Sequence, residues 1–135
     1  MAEILIVDDD EVIRDTLHEL LSSDYHCETA ETAERALEKL KEKSFDLILT
    51  DISMPGLSGL QLLERVLKHY PETLVIIISA MRDHEHAQEL ISLGAFDSVV
   101  KPLRLEVVEG SVRRAMNYRR NKTPELKLVE KSCKR

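Results

Sequence analysis

Residues 3–10 read Glu3-Ile4-Leu5-Ile6-Val7-Asp8-Asp9-Asp10, an unbroken aliphatic run that stops on three carboxylates. A continuous apolar run suits a strand buried on both faces of a parallel sheet, because a strand with one wet face would alternate. The same grammar recurs along the chain. Apolar runs at 47–50, 74–78 and 98–100 end on Asp51, Ser79 and Lys101, and a weaker extended run covers Tyr25 to Thr29.

Segments of helical period separate these runs. Residues 11–22 place Val12, Ile13, Leu17, Leu20 and Leu21 on one side; residues 32–43 do so with Ala33, Ala36, Leu37 and Leu40. The segment 58–69 opens on Ser58 with Gln61 three positions on, a capping-box pattern, and Pro71 follows its end. The segment 84–93 has Asp83 as its expected N-cap and Gly94 as its stop. A last helix is expected over about 105–120, burying Leu105, Val108, Val112, Ala115 and Met116. Five strand–helix units in strict alternation predict a doubly wound α/β sheet with helices on both faces. Beyond Arg120 the pattern ends, so residues 121–135 read as a polar linker or tail after a domain of residues 1–120.

A chain of 135 residues can bury a core of its own without disulfides or a structural metal. Cys27 and Cys133 read as free thiols, Cys27 as core packing. No apolar run is long enough to span a bilayer, and no secretory signal is visible at the start, so a cytoplasmic location is expected. Residues 1–103 hold 9 Lys+Arg against 21 Asp+Glu, and residues 104–135 hold 10 against 4. The acidic body argues against direct nucleic-acid binding by this domain. The basic end reads as a solvated helix and linker.

In open α/β sheets, ligands sit outside the carboxyl ends of the strands. Asp8, Asp9 and Asp51 are therefore expected to converge on one rim together with Ser79 and Lys101. Three close carboxylates repel unless they share a cation. An all-oxygen set without Cys or His suits Mg²⁺ rather than zinc. A divalent cation and a lysine facing one carboxylate welcome a phosphoryl group, and the carboxylate can act as its nucleophile. Taken singly, each residue has a plainer reading: Asp10 as a helix N-cap, Ser79 as a turn residue, Lys101 as a solvated side chain.

These residues together resemble the response-regulator receiver domains of two-component signalling. The resemblance rests on Val7-Asp8-Asp9, on Asp51-Ile52-Ser53-Met54-Pro55 with Gly59 after it, and on Ser79-Ala80, Gly94-Ala95 and Lys101-Pro102. It implies a flavodoxin-like, doubly wound, five-stranded parallel sheet of order 2-1-3-4-5. It further implies that Asp51 is the phosphoacceptor. Asp9, Asp51 and the Ser53 carbonyl would ligate Mg²⁺, with Asp8 helping through water. Lys101 would pair with the phosphoryl group, and Ser79 would move toward it. Pro102 would follow a cis peptide bond. The implied donor is a phosphohistidine on a sensor histidine kinase. The last strand and last two helices are the implied face for an effector, a partner or a second copy. Such a domain is a switch rather than an enzyme, catalysing only its own phosphorylation and dephosphorylation.

One position departs from the pattern. Receivers usually carry Tyr or Phe three residues before the lysine, where this chain has Ser98. Phe96 could share a face with Ser98 by strand alternation and substitute, although simple core packing is the preferred reading. Ser53 and Met81 hold the two positions that tune phosphoryl lifetime in the family. A haloacid-dehalogenase-like phosphatase would need an Asp two residues after the nucleophile, where Ser53 stands. A flavin module would need a phosphate loop where Asp8 to Glu11 would repel it. A degenerate receiver acting as an interaction scaffold is the remaining alternative. The segment His84-Glu85-His86 reads as surface, because alternate residues on a helix point apart.

Overall fold

The computed structural model describes the backbone of residues 1–132 and the side chains of residues 1–121; Cys133 lies outside that range. Five parallel strands form one sheet of order β2-β1-β3-β4-β5, the order the resemblance implied. The strands are β1 (Glu3–Val7), β2 (His26–Ala30), β3 (Leu47–Asp51), β4 (Leu74–Ala80) and β5 (Asp97–Lys101). The helices are α1 (Glu11–Leu21), α2 (Ala33–Glu42), α3 (Gly59–His69), α4 (His84–Leu93) and α5 (Leu105–Ser132).

The period-two alternation of the strands divides the apolar side chains between two layers. Leu5, Val7, Ile48, Val75 and Ile77 face α2, α3 and α4, meeting Ala33, Ala36, Leu62, Leu63, Val66 and Leu90. Ile4, Ile6, Leu47, Leu49, Ile76, Ile78 and Val99 face α1 and α5, meeting Leu17, Leu21, Val108, Val112 and Met116. Both layers are needed, which is why the inner strands β1, β3 and β4 show no polar face, whereas the edge strand β2 exposes His26 and half-exposes Glu28.

The capping chemistry is largely as the sequence predicts. Asp10 caps α1, accepting from the Val12 N–H at 2.9 Å. Ser58 and Gln61 form the reciprocal capping box of α3. Asp83 differs: it precedes α4, but its side chain makes no capping bond. A 3₁₀ turn over Met81–Asp83 sets its ψ to 14° rather than an extended value, so the carboxylate is not presented to the helix N–H groups. The helical backbone of α5 also continues past Arg120 to Ser132.

Candidate functional site

Strands β3, β4 and β5 run one or two residues beyond their apolar runs. Asp51 and Lys101 are therefore the last residues of β3 and β5, and Ser79 the second-last of β4. Register brings them together. Asp51 pairs with Ile78, and Ser79 with Val100. Asp8 extends β1 by one more ladder bond, its N–H donating to the Ala30 carbonyl at 3.2 Å.

The Lys101 ammonium stands between two carboxylates, 3.3 Å from Asp8 Oδ2 and 3.2 Å from Asp51 Oδ2. Asp8, Asp9 and Asp51 each offer an oxygen within 4.8 Å of the others. Asp8 is fully buried and Asp51 nearly so, whereas Asp9 is exposed. Asp8 Oδ1 accepts from the Asp10 N–H at 2.9 Å. Its Oδ2 is buried and accepts no well-formed hydrogen bond, facing Lys101 only as an ion pair. The Ser79 hydroxyl is likewise buried and unpartnered.

The electrostatics follow from that arrangement. Burial raises the Asp8 pKa above the ordinary Asp value; repulsion from Asp51 adds to this, while the Asp10 N–H and Lys101 oppose it. Burial works against the charge on Lys101, yet the Asp51 and Asp8 carboxylates outweigh it and hold its pKa above the ordinary value. One lysine thus pairs with two of the three clustered carboxylates, and the buried Asp8 Oδ2 has no well-formed hydrogen bond. Such an all-oxygen, electron-rich set fits a hard divalent cation. No Cys or His belongs to it.

The site residues expected at the rim, Asp8, Asp9, Asp51 and Lys101, stand together as described. Ser53 is the second residue after Asp51, and its N–H approaches Asp51 Oδ1 at 3.4 Å. Gly59 follows because the chain folds back on itself there: a Cβ would lie 2.6 Å from the Asp51 carbonyl oxygen and 2.8 Å from Ile52 Cα. A cis peptide joins Lys101 to Pro102. Phe96 lies just before β5, its N–H bonded to the Val75 carbonyl near the opposite end of β4. Its ring packs on Tyr118 at 5.6 Å, so it serves as core packing against α5. Ser98 donates its N–H to Asp97 Oδ1.

Two contributors escaped the sequence reading. Arg14 donates to the Asp8 carbonyl at 2.7 Å, fixing the chain where it leaves β1. A signal existed: a cation in the opening turns of a helix works against the macrodipole and needs another reason to be there. Thr50, fully buried beside Asp51, donates to the Asp51 carbonyl at 3.2 Å.

Comparison with known proteins agrees with this geometry. The sequence profile of the response regulator receiver domain matches residues 4–113. The DNA-binding transcriptional regulator NtrC of Escherichia coli is 36% identical over 116 residues, 85% of this chain and 25% of that protein. The chain therefore spans about a quarter of the length of the curated relatives such as NtrC that it matches. A receiver-domain protein from Clostridium thermocellum superposes with a TM-score of 0.84 at 29% identity, covering 89% of this chain and 98% of that one. NtrX from Brucella abortus superposes with a TM-score of 0.90 at 33% identity, covering 95% of this chain and 30% of that one. By matched profile, sheet order and rim geometry alike, the chain belongs to the response regulator receiver domain family.

Proposed function

We infer that this domain is a phosphorylation switch in which Asp51 takes a phosphoryl group from a phosphohistidine of a sensor histidine kinase. The observation that carries the reading is Lys101 Nζ held 3.2 Å from Asp51 and 3.3 Å from Asp8, beside a buried Ser79 hydroxyl without a partner. A carboxylate oxygen of Asp51 attacks phosphorus as the imidazole nitrogen leaves, giving an acyl phosphate. Lys101 is placed to pair with a phosphoryl oxygen, and Ser79 has a free O–H to donate to another. Asp8, Asp9, Asp51 and the Ser53 carbonyl would hold Mg²⁺, which when bound neutralises the charge on the phosphoryl oxygens. Water later attacks phosphorus and restores the carboxylate. The domain catalyses only these steps on itself and turns over no separate substrate.

Residues 1–120 form the switching unit, and residues 121–135 a polar linker or tail. Leu105 is 42% exposed rather than buried as the helical pattern predicted, and with Leu93 and Val107, at 57% and 43% exposure, it offers apolar contacts on α4 and α5 for an effector or a second copy. No helix among the described residues is long and apolar enough to cross a membrane, which supports a cytoplasmic location. The excess of acidic residues in 1–103 speaks against direct contact with nucleic acid. Ser98, in the place of the usual aromatic, leaves the scaffold alternative open, and the retained Asp51, Lys101 and acidic pair argue against it. Both readings meet in one experiment: intact mass after incubation with acetyl phosphate, with and without Mg²⁺. A Mg²⁺-dependent gain of one phosphoryl group, absent in Asp51→Asn, is expected. No gain under any condition would replace the switch by the scaffold.

A further inference from the structure

The loop between β3 and α3 begins directly after Asp51 and carries Ser53. Its ends are well fastened. The Ile52 N–H donates to the Ile78 carbonyl at 3.0 Å, and the Gly59 N–H to the Ile52 carbonyl at 2.9 Å. The side chains of Ile52 and Met54 enter the core. The middle is held differently. Besides the local contact of the Ser53 N–H with Asp51 Oδ1 at 3.4 Å, the hydrogen bond that ties residues 53–57 to another element among the described residues runs from the Leu57 N–H to Glu34 Oε2, at 3.2 Å.

Glu34 lies in the first turn of α2 and makes no ion pair among the described residues. Its carboxylate faces the chain at Gly56, which has a left-handed φ of +79°. A Cβ on residue 56 would lie 2.5 Å from Glu34 Oε2 and 3.1 Å from Oε1. Gly56 therefore meets two demands, a positive φ and room for the carboxylate. A charged acceptor on a backbone N–H is a stronger tie than a neutral one.

The geometry points to Glu34 as a positioning residue for the phosphoacceptor site: its bond to Leu57 fixes the β3–α3 loop and with it where the Ser53 carbonyl stands relative to Asp8, Asp9 and Asp51. This rests on the reading of Asp51 and Ser53 given above. Glu34 touches neither cation nor phosphoryl group; it acts through the loop. The bland alternative is an acidic residue that merely complements the α2 dipole.

Calorimetric titration with Mg²⁺ alone separates these possibilities in the wild type, Glu34→Ala, Glu34→Gln, Gly56→Ala and the Glu34→Ala/Gly56→Ala double variant. Loss of one hydrogen bond predicts that Glu34→Ala weakens Mg²⁺ binding about three- to tenfold. Glu34→Gln keeps an acceptor oxygen and removes the charge, so it should bind within about twofold of wild type. Gly56→Ala should weaken binding as well, and the double variant by less than the product of the single losses, because the clash with the carboxylate is gone. The phosphoryl lifetime, followed by intact mass, should change in the same variants. Equal weakening in Glu34→Ala and Glu34→Gln would mean that only charge matters and would overturn the positioning role. Unchanged affinity in Glu34→Ala, with cooperative thermal unfolding retained, would overturn it too. A wild type that binds no Mg²⁺ would instead bring down the underlying site reading.

Discussion

Among the described residues, two clusters gather three potential metal-ligating side chains within 4.8 Å: Asp8, Asp9 and Asp51 at the carboxyl rim of the sheet, and Glu3, His26 and Glu28 on β1 and β2 toward its other end. Their residue types are nearly the same, and their electrostatics are opposite. At the second cluster Lys43 lies 2.6 Å from Glu3 and 2.8 Å from Glu28, Lys39 lies 3.2 Å from Glu28, and His26 lies 2.6 Å from Glu3. Every carboxylate there is matched, and solvent reaches the group. At the rim a single lysine pairs with two of the three carboxylates, and an oxygen of a fully buried Asp8 lacks a hydrogen bond. Acidic residues near one another do not define a site. A buried surplus of negative charge does, because the fold holds it at a loss that only a ligand can recover.

The largest break in the comparison would come from removing the rim's cation. Without Mg²⁺, Lys101→Ala leaves Asp8 and Asp51 buried against each other and should lower the unfolding free energy by about 2–3 kcal/mol. Urea denaturation measures this, and Mg²⁺ should restore part of the loss. The next effect has the opposite sign. Asp8→Asn removes surplus charge while its side-chain carbonyl can still accept from the Asp10 N–H, so the metal-free protein should gain about 1–2 kcal/mol. The same variant should bind Mg²⁺ at least about tenfold more weakly, because a buried ligand carboxylate is lost. A destabilised metal-free Asp8→Asn would show that the rim is balanced and end the contrast.

The rim was legible in the sequence and its supports were not, for a physical reason. Asp8, Asp51, Ser79 and Lys101 each end an apolar run, and parallel strands bring all their carboxyl ends to one edge. Helix placement followed from the segments between those runs, and the sheet order from the family resemblance. Arg14 and Glu34 sit in helices whose patterns are complete without them, and each acts on a backbone group outside its own helix: Arg14 on the Asp8 carbonyl, Glu34 on the Leu57 N–H. Periodicity reports which face of a helix is buried, not which main-chain atom a long side chain reaches. Asp83 shows the converse: a good capping residue is idle because a 3₁₀ turn, invisible to composition, sets its backbone.

The two clusters should also respond to pH with opposite signs. Asp8 has its pKa raised above the ordinary 3.8, so in the metal-free protein the folded state holds that proton more tightly than the unfolded state. Its contribution therefore improves as pH falls through the raised value and levels off below the ordinary one. Glu3 and Glu28 have theirs lowered below 4.5, chiefly by Lys43, so their contribution is present above that value and is lost as pH falls through the folded one. The gain from Asp8→Asn should thus be full at neutral pH and shrink toward nothing by about pH 4. Denaturation midpoints in chelator at both pH values test this; a gain that does not change with pH would mean Asp8 is not the group responsible.

The smallest effect belongs to the matched cluster, and its smallness is what sharpens the contrast. Glu28→Gln removes the carboxylate shared by Lys39 and Lys43, but these pairs are partly exposed, with the Glu28 side chain 28% accessible. Exposed pairs are screened by water and salt, and ordering two long side chains offsets much of their attraction. The urea midpoint should therefore move by only a small fraction of the Lys101→Ala shift, and less still at high salt. Mg²⁺ titration should be unchanged, since both lysine ammonium groups already occupy the space a cation would need. A Glu28→Gln variant that altered Mg²⁺ binding would place cation affinity at the second cluster as well, and the division between matched and surplus charge would no longer locate the site.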